Sequence, residues 1–422
     1  MNTTETTRHT AERHASSLEK QAAHEDHSAA DADNHSYAIA QAAAIRSTLS
    51  EEAQTSDQQR RLTERSVDAV VGAGMFRLFT PKRYGGFEAK PSVLFDACVE
   101  LGRGCCSASW VVSVLNMGNY MVGHYPVATQ DEVWGEDPDI GIALIISPSR
   151  ASVERVEGGV IVSGEWGYAS GCLHAGWIAA LIPKGIAPDD ETPNLILMRA
   201  EDVEIRDTWH ITGMRGTGSN TVVAKELFIP NHRITPYAPI VTGKNPHIAA
   251  RHPLYSVSFS GLLSLGLLGP QLGAVETALN MVREQSHDRR VTSSTFRSQA
   301  QSPAFQTDMA EAAMMIQGAR LHARQIVDTV EHHALSGALP DELTRSSFRM
   351  ESTRATKLCR DAIERILTAY GSAAFMESNP LQRIWRDIHV GSRHAGFGMG
   401  IPQLVYGRSL VGLDPREISY LV

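Results

Sequence analysis

Arg386-Asp387-Ile388-His389-Val390-Gly391-Ser392-Arg393-His394-Ala395-Gly396-Phe397 closes the last of four long helical segments, which span 260–286, 303–336, 340–374 and 379–398. Segments of this length joined by short connections predict a four-helix bundle. Arg386 and Asp387 read as a pair within the bundle or across a subunit contact. His389 and His394 are five positions apart, about 140° around a helix, so they cannot share a metal ion from one face. No Asp/Glu cluster or Cys pair completes a zinc or iron site, and no metal is expected.

Upstream of the bundle the pattern changes to strands. Gly141–Ile146, Val153–Val156, Gly159–Gly164, Trp177–Ile182, Leu195–Met198 and Thr221–Ile229 are short, β-branched runs separated by turn residues. Glu157-Gly158-Gly159 is a hairpin signal. So many strands in so short a stretch predict a small barrel or sandwich. Before them, Leu62, Val67, Val70, Val71 and Met75 recur at helical spacing, and Thr80-Pro81-Lys82-Arg83-Tyr84-Gly85-Gly86 breaks the helix. A second helical run, Ser92–Leu115, carries small residues at its centre from Gly102 to Ser109, where a backbone or flat ligand can approach. Residues 1–35 have almost no large apolar side chain and are expected to be disordered. The fold class is therefore α+β, mostly α. It divides into a helical domain (36–130), a β-barrel or sandwich (131–240) and a C-terminal four-helix bundle (241–422).

Composition narrows the function. A chain of 422 residues exceeds the usual single core. A net charge of −8 without a basic stripe argues against nucleic acid. The five cysteines show no CxxC pairing, which suits reduced thiols and a cytoplasmic location. The N-terminus lacks the apolar core of a secretory signal. Pro253 to Val275 is uncharged, but its Pro270, Gln271, Tyr255, Ser and Gly residues favour a buried bundle helix with a break over a membrane span.

Two stretches carry candidate chemistry. Gly164-Glu165-Trp166-Gly167-Tyr168-Ala169-Ser170-Gly171-Cys172 leaves a strand and enters a turn of small residues. Trp209-His210-Ile211-Thr212-Gly213-Met214-Arg215-Gly216-Thr217-Gly218-Ser219-Asn220 is glycine-rich, and its glycines permit close approach and positive φ. No βαβ unit surrounds it, so it is not a dinucleotide fingerprint.

The first stretch resembles the flavin-facing loop of two-component, reduced-flavin monooxygenases, and the second resembles the W-x-x-x-G-M-R-G-T-G-S-N segment of aromatic monooxygenases. The Arg386-Asp387 helix resembles the last helix of acyl-CoA dehydrogenases. In the dehydrogenases that helix runs into a turn carrying the catalytic Glu, and the register puts His394 and Ala395 at the Tyr and Glu of that turn. Ala395 cannot accept a proton. Residues 40–415 are thus similar to the oxygenase component of group D flavin monooxygenases, including the 4-hydroxyphenylacetate hydroxylases.

The resemblance implies the acyl-CoA dehydrogenase fold and a homotetramer. It also implies reduced FMN or FAD supplied by a separate NAD(P)H-flavin reductase, and dioxygen as co-substrate. A small aromatic substrate, an indole or a phenol, would be hydroxylated or epoxidised through a flavin C4a-hydroperoxide. Ser170 falls where a hydroxyl meets flavin N5. Trp110, Tyr168, Ala169, Trp209, Arg215, Thr217, Ser219 and Arg290 fall at cofactor positions. Arg215 would meet the flavin or order its loop, and Arg290, with Arg289, would reach a neighbouring subunit's flavin phosphate. His394, with Asn119, Tyr120 and Phe397, would contact the substrate, His394 withdrawing a proton or orienting the ring. For single residues the plainer readings stay open: a core Trp110, a solvated Arg289–Arg290 pair, and His394 capping a helix end. The competing activity is an acyl-CoA dehydrogenase with its base elsewhere.

Overall fold

A computed structural model describes residues 34–147, 150–184, 193–242, 252–419 and 421. Residues 1–33 of the expected tail lie outside the described residues, and α1 occupies 34–44. The helices α2 (Arg46–Gln59), α3 (Glu64–Gly72), α4 (Pro91–Gly104), α5 (Cys106–Val122) and α6 (Val127–Trp134) follow. Thr63 starts α3 by accepting the Ser66 N–H, and Pro91 opens α4, both ordinary helix-start devices. Almost every residue of α5 is buried, so it serves as a wall for the elements packed around it.

The strands are β1 (Ile142–Ile145), β2 (Arg150–Val156), β3 (Gly159–Ala169), β4 (Trp177–Ile182), β5 (Asn194–Arg199), β6 (Glu204–Arg206), β7 (Asn220–Pro230) and β8 (Ile234–Pro236). They form two four-stranded sheets, ordered β1-β4-β5-β8 and β2-β3-β7-β6. β1 pairs parallel to β4, whereas the other pairings are antiparallel. The Glu157-Gly158 hairpin joins β2 to β3, with Gly158 at φ +80°. A register shift between Trp166 and Ala169 leaves Tyr168 at φ +62°. Such a bulge re-aims a side chain, and here it turns the Tyr168 ring outward.

After α7 (Tyr237–Val241) come α8 (Phe259–Gln285), α9 (Pro303–Ser336), α10 (Glu342–Tyr370), α11 (Pro380–Gly391) and α12 (Ile401–Leu410). Ser302, Asp341 and Asn379 cap α9, α10 and α11 through their side chains, so each bundle helix begins at a residue suited to it. α8 is buried all round from Phe259 to Val275 and packs on α4, α5, α9, α10 and α11. A helix apolar on every face belongs in a core. Among the described residues it is the one helix long and apolar enough to cross a membrane, yet 78% of that apolar window is buried in protein. The crossing with α4 is backbone-close: a Cβ on Gly273 would collide with the Val99 carbonyl, and one on Gly102 with that of Pro270.

Two expectations are corrected. α8 does not break at Pro270 but continues through it, because losing one ladder bond is offset by packing on every side. The last segment is helical only to Gly391, and residues 392–400 form turns before α12. His394 therefore sits beyond the helix, its N–H bonded to the Gly391 carbonyl at 3.1 Å.

Candidate active site

Four pieces of chain meet on the first turns of α5. A Cβ on Gly216 would press on Ser107, and one on Gly171 would touch Val111 and Leu115. Gly391 faces Trp110, whose ring meets the His394 imidazole edge-on at 5.6 Å between centroids. The turn after β3, the 209–220 loop, the end of α11 and the His394 turn therefore share one wall.

The 209–220 loop is held by groups from distant parts of the sequence. Met214 (φ +54°) and Gly218 (φ +54°) both take left-handed conformations. The Trp209 indole N–H donates to the Met214 carbonyl at 3.0 Å. Arg215 donates to the carbonyls of Asp57 at 2.9 Å and Ile211 at 3.0 Å, so its guanidinium orders the loop. Arg386 forks the Asp57 carboxylate at 3.2 and 3.1 Å and also donates to the Thr212 carbonyl. Asp387 accepts the Met214 N–H at 2.5 Å. Arg386 and Asp387 thus hold two separate points of the loop. Asp387 is 3% exposed, and burial pushes its carboxyl up to about 6, against the Met214 N–H, which favours the charged form.

Gly213 has no room for a side chain, because a Cβ would collide with the Arg386 carbonyl oxygen. Gly213→Ala is therefore expected to cost about 1–3 kcal/mol through overpacking. Thermal unfolding, where an unchanged Tm would contradict the close approach, tests this.

Inside the loop three hydroxyls are linked. Ser170 Oγ lies 2.7 Å from Ser219 Oγ, which lies 2.7 Å from Thr217 Oγ1, and Thr217 Oγ1 donates to the Met214 carbonyl at 2.8 Å. Ser170 keeps a little exposed surface, whereas Ser219 and Thr217 are more deeply buried. Ala169 is buried opposite Asn220. Tyr168 is 72% exposed and stands edge-on to Trp209 at 5.9 Å, forming an open aromatic flank beside the hydroxyl chain.

On the other side of Trp110, His394 accepts the Gly396 N–H at Nδ1, 3.1 Å away. A neutral ring so engaged carries its proton on Nε2. Burial, reinforced by the Arg349 cation, pulls its pKa down to about 4, so the ring is uncharged at neutral pH. Phe397 is buried with its ring centroid 6.4 Å away.

The structure does not bring Asn119, Tyr120 or Arg290 to this junction. The Asn119 amide donates to the Phe76 carbonyl at 2.6 Å, and the Tyr120 hydroxyl donates to that of Val257 at 2.8 Å. Both are fully buried and occupy core positions about 14 to 15 Å along α5 from Trp110. Arg290 is exposed beyond the far end of α8. Arg289 folds back over the Tyr370 ring at 3.7 Å. Gln271, a polar interruption of the apolar run of α8, is fully buried against Gly391 beside Trp110. Its Nε2 donates to the Leu267 carbonyl, and its Oε1 has no partner among the described residues. Among the described residues no three metal-ligating side chains gather.

Residues 265–398 match the family model described as acyl-CoA dehydrogenase, C-terminal domain. Over 381 residues, 87% of this chain and 94% of the other, the sequence is 33% identical to the flavin-dependent monooxygenase oxygenase subunit HsaA of Mycobacterium tuberculosis. The chain belongs to the oxygenase subunits of flavin-dependent monooxygenases. It is also 26% identical to the p-hydroxyphenylacetate 3-hydroxylase oxygenase component of Acinetobacter baumannii, across 87% of each chain. XiaF from Streptomyces sp., solved in complex with FADH2 and glycerol, superposes with a TM-score of 0.86 at 28% identity, covering 92% of this chain and 98% of that one. The oxygenase is thus an oxidoreductase working with reduced flavin and dioxygen. Its residues fit a reduced flavin ring: the Tyr168–Trp209 flank is open, and Ser170 has, among the described residues, no side-chain partner besides Ser219.

Proposed function

We propose that this oxygenase hydroxylates a phenolic ring, using reduced FMN or FAD delivered by a separate NAD(P)H-flavin reductase. When bound, the reduced flavin supplies the two electrons that activate dioxygen for insertion of one atom. Tyr168, Ala169, Ser170 and Trp209 would hold that ring, with Thr217 and Ser219 behind Ser170, and Trp110 stands between their half of the site and His394. Ser170 would accept the hydrogen on the flavin's central nitrogen, and the buried Ala169, Thr217 and Ser219 beside it would limit the water that diverts the oxygen to hydrogen peroxide.

The observation that carries the phenol is the His394 tautomer. With Nδ1 engaged by Gly396, Nε2–H is left as a donor. A phenol or phenolate oxygen accepts such a bond and is thereby oriented with its ring activated. An indole offers N–H against N–H, a mismatch that leaves the donor unpaired. Phe397 supplies an apolar neighbour for the ring. Ala395 offers no proton acceptor, which removes the thioester chemistry of the dehydrogenases at that position. The relative named for p-hydroxyphenylacetate hydroxylation supports the same substrate class.

Incubation with a flavin reductase, NADH and matched phenols and indoles, read by product mass, tests this. A gain of one oxygen on the phenols is expected, and oxidation of indoles alone would reject the reading. For Ser170→Ala we expect a severalfold rise in hydrogen peroxide per reduced flavin consumed. Unaltered coupling would take the hydroxyl out of this role.

A homotetramer is proposed with it. Met399, Leu404, Leu410, Val411 and Leu413 are exposed apolar residues on and beside α12, and a patch of that kind marks a protein contact. The five cysteines are buried and free, which suits a cytoplasmic, reducing setting.

A further inference from the structure

The three linked hydroxyls can be ordered by counting protons, given that the flavin site proposed above is the right one. Each hydroxyl has one hydrogen to donate. The Met214 carbonyl can only accept, so the Thr217 hydrogen is spent on it at 2.8 Å. Ser219, at 2.7 Å from Thr217, must then donate toward Thr217. Ser170, at 2.7 Å from Ser219, must in turn donate toward Ser219. The hydrogens all run inward and end at a backbone carbonyl, which cannot rotate to reverse the chain. That carbonyl is itself fixed by the Trp209 indole N–H at 3.0 Å. Ser170 Oγ is left with lone pairs alone on its outward side.

We propose that Thr217 and Ser219 are positioning residues that make Ser170 a one-way acceptor, so that the oxygenase selects reduced over oxidised flavin. Reduced flavin carries a hydrogen on its central nitrogen and matches the acceptor. Oxidised flavin presents a lone pair at the same atom, and two lone pairs face each other. Reversing the chain to relieve this would forfeit the Thr217 bond to Met214. Discrimination between redox states thus comes from a fixed hydrogen-bond polarity, without movement of the loop. An oxygenase fed by a diffusing cofactor gains from it, because spent flavin leaves and fresh reduced flavin takes its place.

Anaerobic binding titrations test the idea directly, with no turnover involved. Wild-type protein is titrated with oxidised FMN and FAD and with the same flavins reduced by dithionite. Wild type is expected to bind the reduced forms more tightly. Ser219→Ala frees the Ser170 hydrogen to donate to oxidised flavin. Thr217→Val removes the inward anchor, with the same result one step removed. Each variant is expected to shrink the reduced-to-oxidised affinity ratio by about 3- to 10-fold, the worth of one hydrogen bond, mainly by tighter binding of oxidised flavin. Thr217→Ser keeps the anchor and should keep the ratio. Wild-type ratios in both Ser219→Ala and Thr217→Val would overturn the ordering while leaving the flavin site standing. Failure of wild type to bind either redox state would overturn the flavin site itself. Should Thr217→Val not fold, Ser219→Ala alone decides, because that site needs no repacking around a new methyl group.

Discussion

His394→Ala is expected to reduce product formed per reduced flavin by about 100-fold or more, within the range for loss of a positioned acid–base or hydrogen-bonding group. Flavin binding should be retained, because the flavin side of the site lies across Trp110, in the β3 turn and the 209–220 loop. The companion variant separates two roles for the ring. If Nε2–H acts as a donor, as the Gly396 contact to Nδ1 requires, the side-chain amide of His394→Gln can reproduce part of it. A base role would be lost equally in both variants. The pH profile adds a second check. With the imidazole held near 4 by burial and by Arg349, His394 contributes no inflection between about pH 5 and 8. A wild-type inflection near 6.5 that vanishes in His394→Gln would show that the ring titrates freely, and would sink the neutral-donor account.

The sequence carries the bundle legibly because its signals are local. Ser302-Pro303, Asp341 and Asn379-Pro380 mark helix starts, and the apolar run of α8 reads as core without any knowledge of its neighbours. The six strand runs are legible for the same reason. β6 and β8 span three residues each, too few for any alternation, and they exist because a longer strand lies alongside. The parallel β1–β4 pairing is a matter of topology that no local pattern encodes.

The site divides along the same line. The 209–220 loop stands out by composition, but what it is tied to does not: Asp57 and Asp387 lie far from it in sequence and meet it through Arg215, Arg386 and the Met214 N–H. Asn119 and Tyr120 look like polar residues facing a pocket when only α5 is considered. In the fold, the Phe76 and Val257 carbonyls take them up, and those partners are visible only once the chain has closed. His394 was expected at a helix end, but Gly396 and Gly398 carry the chain through turns instead, and the turn is what sets its tautomer. Gln271 is the one side-chain amide in the buried stretch of α8 from Phe259 to Val275. Such a residue costs stability when buried, and so points to something opposite it.

Asp387→Asn is expected to stabilise the protein at neutral pH, by an amount that depends on pH. Its folded pKa near 6 lies above the unfolded value of 3.8. The group's contribution to stability is therefore fully present below 3.8, where the acid is protonated in both states, and is gone once the pH has risen through about 6. At pH 8 the buried charge costs about 3 kcal/mol. Asparagine keeps the oxygen that accepts the Met214 N–H but never ionises. Variant and wild type should thus unfold at similar temperatures near pH 4, and the variant should pull ahead through pH 5 to 7 and level off above. Parallel Tm profiles across that range would mean that Arg383 and Arg386, which favour the charged form, already neutralise Asp387 in the fold. The loop would then be held by an ion cluster in place of a neutral carboxyl group. The two cases also differ functionally. If the acid is largely protonated near pH 6, Asp387→Asn leaves reduced-flavin affinity intact, because the hydrogen bond that sets Met214 at its positive φ survives the substitution. If an ion cluster sets the loop, the substitution loosens it and flavin affinity falls even while the fold persists.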